Sequence, residues 1–300
     1  MMKKALRITC LAAAGILLLL IVFAFDATVR IQTSTGSGET EQQNALGSTE
    51  FTVYELPFDS GDLHIFGQVY LPEDGSDIHP VVILSHGFQA RYYYNEDYAK
   101  ALAASGIAVY LFDFPGGSME SASGGSMSEM SVLTERTALE AVIGFIEVQD
   151  FTDTNNLFLC GESQGGLVTA ITAPEFQDQI NGMILMYPAF NIVENARSPL
   201  ISSSMVPDTM TVDGADISRK YYDDAKTVEL RPLIEDFSKD VLILQGDRDS
   251  LVSPATTKAA ANLYPSAEYR IISGAGHGFS GSEKTEAINA IVQFIRSHLK

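Results

Sequence analysis

Cysteine is almost missing from this chain, with two in 300 residues. Cys10 lies early in an apolar N-terminal stretch, and Cys160 lies in a strand-like hydrophobic run, where a buried thiol packs as a small hydrophobe. So placed, the pair cannot staple the domain, and its core must hold the fold. Basic residues are scarce too, 19 against 38 acidic ones, for a formal charge of −19. A surface of that sign repels nucleic acid and anionic polymers, so nucleic acid is not an expected partner and neutral substrates are favoured. There is no long internal repeat, no metal-ligating constellation, and no phosphate-cradling glycine loop after an apolar strand. Neither a metal nor a cofactor is expected. The oligomeric state has no signature in the sequence. What is abundant is apolar surface: 46% hydrophobic residues, enough for one well-filled globular domain with accessories.

At the N-terminus Lys3, Lys4 and Arg7 precede an uncharged stretch from Ile8 to Phe25. As a helix it would reach about 27 Å, against a hydrocarbon core of about 30 Å. Ala24-Phe25-Asp26-Ala27 lacks a small-x-small cleavage site. Residues 1–26 therefore read as a membrane anchor, with the membrane as a partner and the body held outside the cytoplasm at the cell membrane. A cleaved signal peptide and a secreted body is the alternative. Residues 27–50, which include TSTGSGETEQQNALGST, read as a flexible linker.

From residue 51 the pattern settles into short strands and helices. FTVYELPF and LHIFGQVYLP read as two strands joined through Asp59-Ser60-Gly61-Asp62. Apolar runs then alternate with helical patterns: HPVVILS, IAVYLFDF, LFLCGE, GMILMYP, VLILQGD and AEYRIIS. Among the helices, Val132, Leu139, Val142, Ile143 and Ile146 fall on one face. Strands buried on both faces and alternating with helices predict an α/β fold, a mostly parallel twisted sheet of about eight strands with helices on both faces. The early strand pair departs from this alternation and is expected to be antiparallel. One interval, residues 191–238, is far longer than its neighbours. Such an insertion is usually a lid, here a small helical one that includes the amphipathic DISRKYYDDAK, and a plain decoration is the alternative.

Within Gly161-Glu162-Ser163-Gln164-Gly165 the serine sits between a strand run and a helix. A G-x-S-x-G turn raises its serine above the sheet in a strained backbone, and the glycines keep strand and helix out of its way. A serine needs a base oriented by a carboxylate to become a nucleophile. Of the five histidines, only His277, in the glycine-rich loop after the last strand run, lies downstream where a loop can bring it to the sheet's carboxyl edge. His64, His79 and His298 read as structural or exposed. The loop Gln245-Gly246-Asp247-Arg248-Asp249 supplies Asp247 and Asp249 as carboxylates. The order Ser, Asp, His is satisfied.

With these motifs, residues 51–300 resemble the α/β-hydrolase superfamily. The resemblance rests on His86-Gly87-Phe88, the serine motif, Gly246-Asp247-Arg248-Asp249 and Gly276-His277. It implies a catalytic triad of Ser163, Asp249 and His277, with Asp249 rather than Asp247 as the acid. It also implies an oxyanion hole formed by the backbone N–H groups of Phe88 and Gln164, with His86 shaping the loop and Asp113 serving a turn. Serine at the elbow points to acyl chemistry, and the short insertion is most similar to bacterial serine carboxylesterases of the cinnamoyl/feruloyl-esterase and monoacylglycerol-lipase type. The expected function is hydrolysis of a small neutral carboxylic ester through an acyl-enzyme. Lipase, thioesterase or acyltransferase activity on the same fold is an alternative, as is a catalytically silent surface binding protein. Tyr92 and Tyr187 are candidates to line a substrate pocket, core packing being the competing role for each.

Overall fold

A computed structural model describes residues 48–300. The described part opens with four short strands, β1 (Phe51–Glu55), β2 (Phe58–Ser60), β3 (Leu63–Ile65) and β4 (Gly67–Pro72). The two long strands expected here are each split in two. β2 and β3 form a small hairpin that turns at Gly61 (φ 58°), while β1 pairs antiparallel with β4. Next come β5 (His79–Ser85), α1 (Glu96–Ala103), β6 (Ala108–Phe112), α2 (Val132–Glu147), β7 (Thr152–Glu162), α3 (Ser163–Thr172) and β8 (Gly182–Met186). An insertion follows, made of α4 (Asn191–Ala196), the hairpin β9 (Thr209–Val212) and β10 (Ala215–Ser218), α5 (Arg219–Thr227) and α6 (Leu230–Asp236). The chain closes with β11 (Asp240–Gly246), α7 (Pro254–Ala261), β12 (Ala267–Ile272) and α8 (Gly281–Ser297).

Eight strands make one sheet in the order β1-β4-β6-β5-β7-β8-β11-β12. β4 pairs antiparallel with β6, and every pair from β6 to β12 is parallel. Parallel neighbours need crossovers, and the helices that supply them cover both faces. Val81, Ile83, Leu157 and Leu159 face one apolar cluster with Leu139, Val142 and Ile143 of α2. Val82, Leu84, Phe158 and Cys160 face the other with Leu102 of α1 and Ile291 and Ile295 of α8. Burial pushes the Cys160 thiol well up, consistent with an inert packing role.

In the insertion, the helix expected from Asp216 begins only at Arg219. Asp213 and Gly214 both have positive φ (49° and 83°), the geometry of a tight Asp-Gly hairpin turn, and residues 215–218 return as strand β10.

The expected membrane anchor, and with it the membrane partner and the cell-membrane location, is corrected. Among the described residues no helix is long and apolar enough to cross a membrane. The longest, α8, carries Glu283, Lys284, Glu286 and Arg296 beside its apolar stripe, as a helix laid on a sheet must. Residues 1–26, Cys10 and most of the expected linker lie outside the described residues.

Candidate active site

The carboxyl ends of the parallel strands bring together three loops. At the end of β7 the chain turns into α3 through Ser163, whose φ of 50° is a left-handed conformation that a serine adopts only when its surroundings force it. Those surroundings explain the flanking glycines. A Cβ on Gly165 would lie 2.3 Å from the His86 carbonyl oxygen, and one on Gly161 would lie 2.4 Å from that of Gly165. Strand, helix and the loop after β5 meet at backbone contact around the serine.

After β12, the loop containing His277 presses on the loop after β11. A Cβ at Gly246 would lie 2.4 Å from the Ala275 carbonyl, so only glycine admits this approach. The Ser163 hydroxyl donates to His277 Nε2 at 2.8 Å, and His277 Nδ1–H donates to Asp249 Oδ2 at 2.9 Å. Asp249 is buried and also accepts from the Leu251 and Val252 amides at 2.9 and 2.8 Å and from Gln245 Nε2 at 2.9 Å. Burial alone would push this carboxyl up. The His277 hydrogen bond and charge, with Val252 and Gln245, outweigh burial and hold it below the usual carboxylate range. An ionised Asp249 fixes the proton on Nδ1 and leaves Nε2 to accept from the serine. Asp247 instead accepts from the Gly274 amide at 2.7 Å and caps the exposed side of the loop.

The loop after β5 passes beside the serine, where a Cβ on Gly87 would lie 3.8 Å from Ser163 Oγ. His86 shapes this loop. Its Nδ1–H donates to the Gly87 carbonyl at 2.7 Å while its Nε2 accepts from the Phe114 amide at 3.0 Å. Burial lowers its pKa and keeps it neutral, which those two roles require. Phe88 is buried next to it, and Gln164 is the first residue after the serine. Asp113 receives the Tyr92 and Ala122 amides at 2.7 and 2.9 Å and Arg91 Nε at 3.3 Å, a loop-organising role.

Tyr187 and Tyr92 stand differently. Tyr187 is buried with φ 38°. Its ring meets His277 edge-on at 4.9 Å, and its hydroxyl donates to Glu162 Oε2 at 2.6 Å. It braces the histidine. Tyr92 makes its ring contacts with Phe66 and Tyr93, at 5.1 and 5.6 Å, and flanks the core.

Sequence reasoning passed over Glu162, although it occupies the variable position before the serine. Its Oε1 accepts from the Gly87 amide at 3.3 Å and from Asn95 Nδ2 at 3.2 Å, so one carboxyl group ties the elbow to the neighbouring loop and to Tyr187. Glu135 was also passed over. It is a carboxyl group inside the apolar stripe of α2, and a charge-bearing residue in that stripe was its only signal.

The architecture and the site define a class: the chain is an α/β-hydrolase by fold, with the geometry of a serine hydrolase. A family profile described as serine aminopeptidase, S33 matches residues 76–211. That stretch spans the His86 loop and the Ser163 elbow and ends before Asp249 and His277. No curated protein matches in sequence. Solved structures that resemble the chain include Est1E from Butyrivibrio proteoclasticus with ferulic acid bound, at 23% identity and a TM-score of 0.75, covering 81% of this chain and 98% of that one. The α/β hydrolase GrgF from Penicillium sp. sh18 is 18% identical with a TM-score of 0.69, covering 83% and 99%. Mouse alpha/beta hydrolase domain-containing protein 10 is 15% identical with a TM-score of 0.64, covering 81% and 99%. At these identities the likeness is one of fold.

Proposed function

We propose that the protein hydrolyses carboxylic esters of small neutral molecules through an acyl-enzyme, with Ser163, His277 and Asp249 as its triad. The observation that carries this reading is the unbroken hydrogen-bond chain from a strained serine through His277 to a buried Asp249. Ser163 Oγ attacks the ester carbonyl while His277 Nε2 takes its proton. Charge then gathers on the carbonyl oxygen, where the Phe88 and Gln164 backbone N–H groups stabilise it. Each such donor is typically worth about 3–4 kcal/mol, because the charge exists only in the transition state. His277 returns the proton to the departing alcohol, the C–O bond breaks, and the acyl group stays on Ser163. Water, deprotonated by the same histidine, then releases the acid and restores the serine.

The insertion over residues 191–238 is read as a lid, supported by its contacts with both oxyanion segments. Gln89 Nε2 donates to the Val212 carbonyl at 3.0 Å, and the Tyr221 hydroxyl donates to Gln164 Oε1 at 2.6 Å. Est1E, whose structure holds ferulic acid, makes hydroxycinnamate esters the first substrates to assay beside p-nitrophenyl esters. The serine aminopeptidase profile makes aminoacyl anilides the competing set. A fluorophosphonate probe should label Ser163 in the wild type and leave Ser163→Ala unlabelled. Ester hydrolysis should exceed anilide hydrolysis and vanish in the same variant. A folded wild-type protein that neither takes the probe nor cleaves any ester would make it a silent binding protein instead.

A further inference from the structure

Behind the elbow lies a buried polar string that the reaction above does not use. Gln164 is fully buried, and its side-chain amide is held from both sides. The Tyr221 hydroxyl of α5 donates to its Oε1 at 2.6 Å, and its Nε2 donates to Glu135 Oε2 of α2 at 2.8 Å. Tyr221 and Glu135 are themselves buried, and Glu135 Oε1 has no hydrogen-bond partner among the described residues. The Tyr221 ring also meets that of Phe88 edge-on at 6.3 Å. A direct bond links the same two elements, from the hydroxyl of Ser131, the N-cap of α2, to Asp224 Oδ2 of α5 at 2.5 Å. One helix of the insertion therefore touches both residues whose backbone N–H groups receive the oxyanion.

Apolar side chains would seat α5 on the body at lower cost, because buried polar groups lose their hydration and need well-aligned partners in exchange. What they add is direction. A hydrophobic contact tolerates sliding, whereas an amide gripped by a donor on one side and an acceptor on the other has one orientation. Gln164 carries that orientation into its own backbone, one residue from the nucleophile.

We propose that Tyr221 and Glu135 are positioning residues that align the Gln164 N–H for the oxyanion and so couple seating of the insertion to the acyl-transfer step. This rests on the esterase reading above. Burial pushes the Glu135 carboxyl up to about 8, so near neutral pH it is an uncharged acid whose oxygen accepts from Gln164, and the string carries no net charge.

The test uses the full chain, with p-nitrophenyl acetate as a substrate too small to need the insertion's walls, and three variants: Tyr221→Phe, Glu135→Leu and Glu135→Gln. Tyr221→Phe removes one oxygen and should fold. It should lower kcat by about tenfold, part of the loss expected for a whole oxyanion donor, with KM little changed. Glu135→Leu should do the same, and Glu135→Gln, which keeps an acceptor oxygen, should recover most of kcat. Fluorophosphonate labelling of Ser163 should slow in parallel with kcat. Wild-type kcat and labelling rates in folded Tyr221→Phe, or a rise in KM alone, would overturn the coupling while the esterase reading stands. A wild-type protein inert to both ester and probe would overturn both.

Discussion

Asp249 collects four hydrogen bonds where Asp247, two residues earlier, takes the Gly274 amide on an exposed edge. That difference predicts unequal mutants. Asp249→Asn removes the charge that fixes the His277 tautomer, and kcat should fall by roughly 10⁴-fold, while Asp247→Asn should stay within about tenfold. Steady-state kinetics on one p-nitrophenyl ester decides it, and reversed effects would move the acid to Asp247. Ser163→Ala and His277→Ala should each cost on the order of 10⁴- to 10⁶-fold, and the double variant little more, because serine and base act as a unit. Additive losses in kcat would mean that the two residues work independently. Tyr187→Phe keeps the ring against His277 and removes the bond to Glu162, so its effect should fall between these extremes.

At the scale of elements, α2 carries a carboxyl group that burial holds far above its ordinary titration range. Val132, Glu135, Leu139, Val142 and Ile146 form one buried stripe, and Glu135 is its single ionisable member. Its pKa is about 8 in the folded chain against about 4.5 when exposed. Over that interval the native state keeps a proton that the unfolded chain has released. Stability from this group is therefore full below about pH 4.5 and is lost as pH rises towards about 8, by up to about 1.4 kcal/mol per pH unit. Tyr221, which faces it from α5, is itself raised, by burial first and then by the Glu135 charge, and stays protonated throughout. Glu135→Gln should remove this contribution, so the difference in stability between variant and wild type should change with pH. Urea unfolding of wild type and variant between pH 5 and 8 measures it, and parallel curves would contradict the assignment.

Across the whole molecule, the sheet and its helices were legible because their cause is local: apolar runs of strand length alternate with helical stripes, and burial on both faces leaves few other architectures. The triad was legible for a related reason, since each member follows a strand and the parallel sheet carries those loops to one edge. The string Glu135–Gln164–Tyr221 was not, because its members come from three elements separated by long stretches of chain, and no spacing rule links them. The split of the first strands and the Asp213–Gly214 hairpin were missed because short strands give weak periodicity beside a strong neighbouring pattern. Charge acts at this scale as well. With −19 spread over the chain, kcat/KM for an anionic ester should rise with ionic strength while that for a neutral isostere stays flat. A flat response for both would mean that the site is shielded from the net field. The central claim is that acyl groups pass through Ser163, and rapid-quench mass spectrometry of the full-length protein with a p-nitrophenyl ester tests it most directly. The account predicts one acyl group per chain, on the peptide carrying Ser163, formed at the rate of the p-nitrophenol burst and absent from folded Ser163→Ala. Ester turnover with no adduct on that peptide, and undiminished in Ser163→Ala, would contradict it.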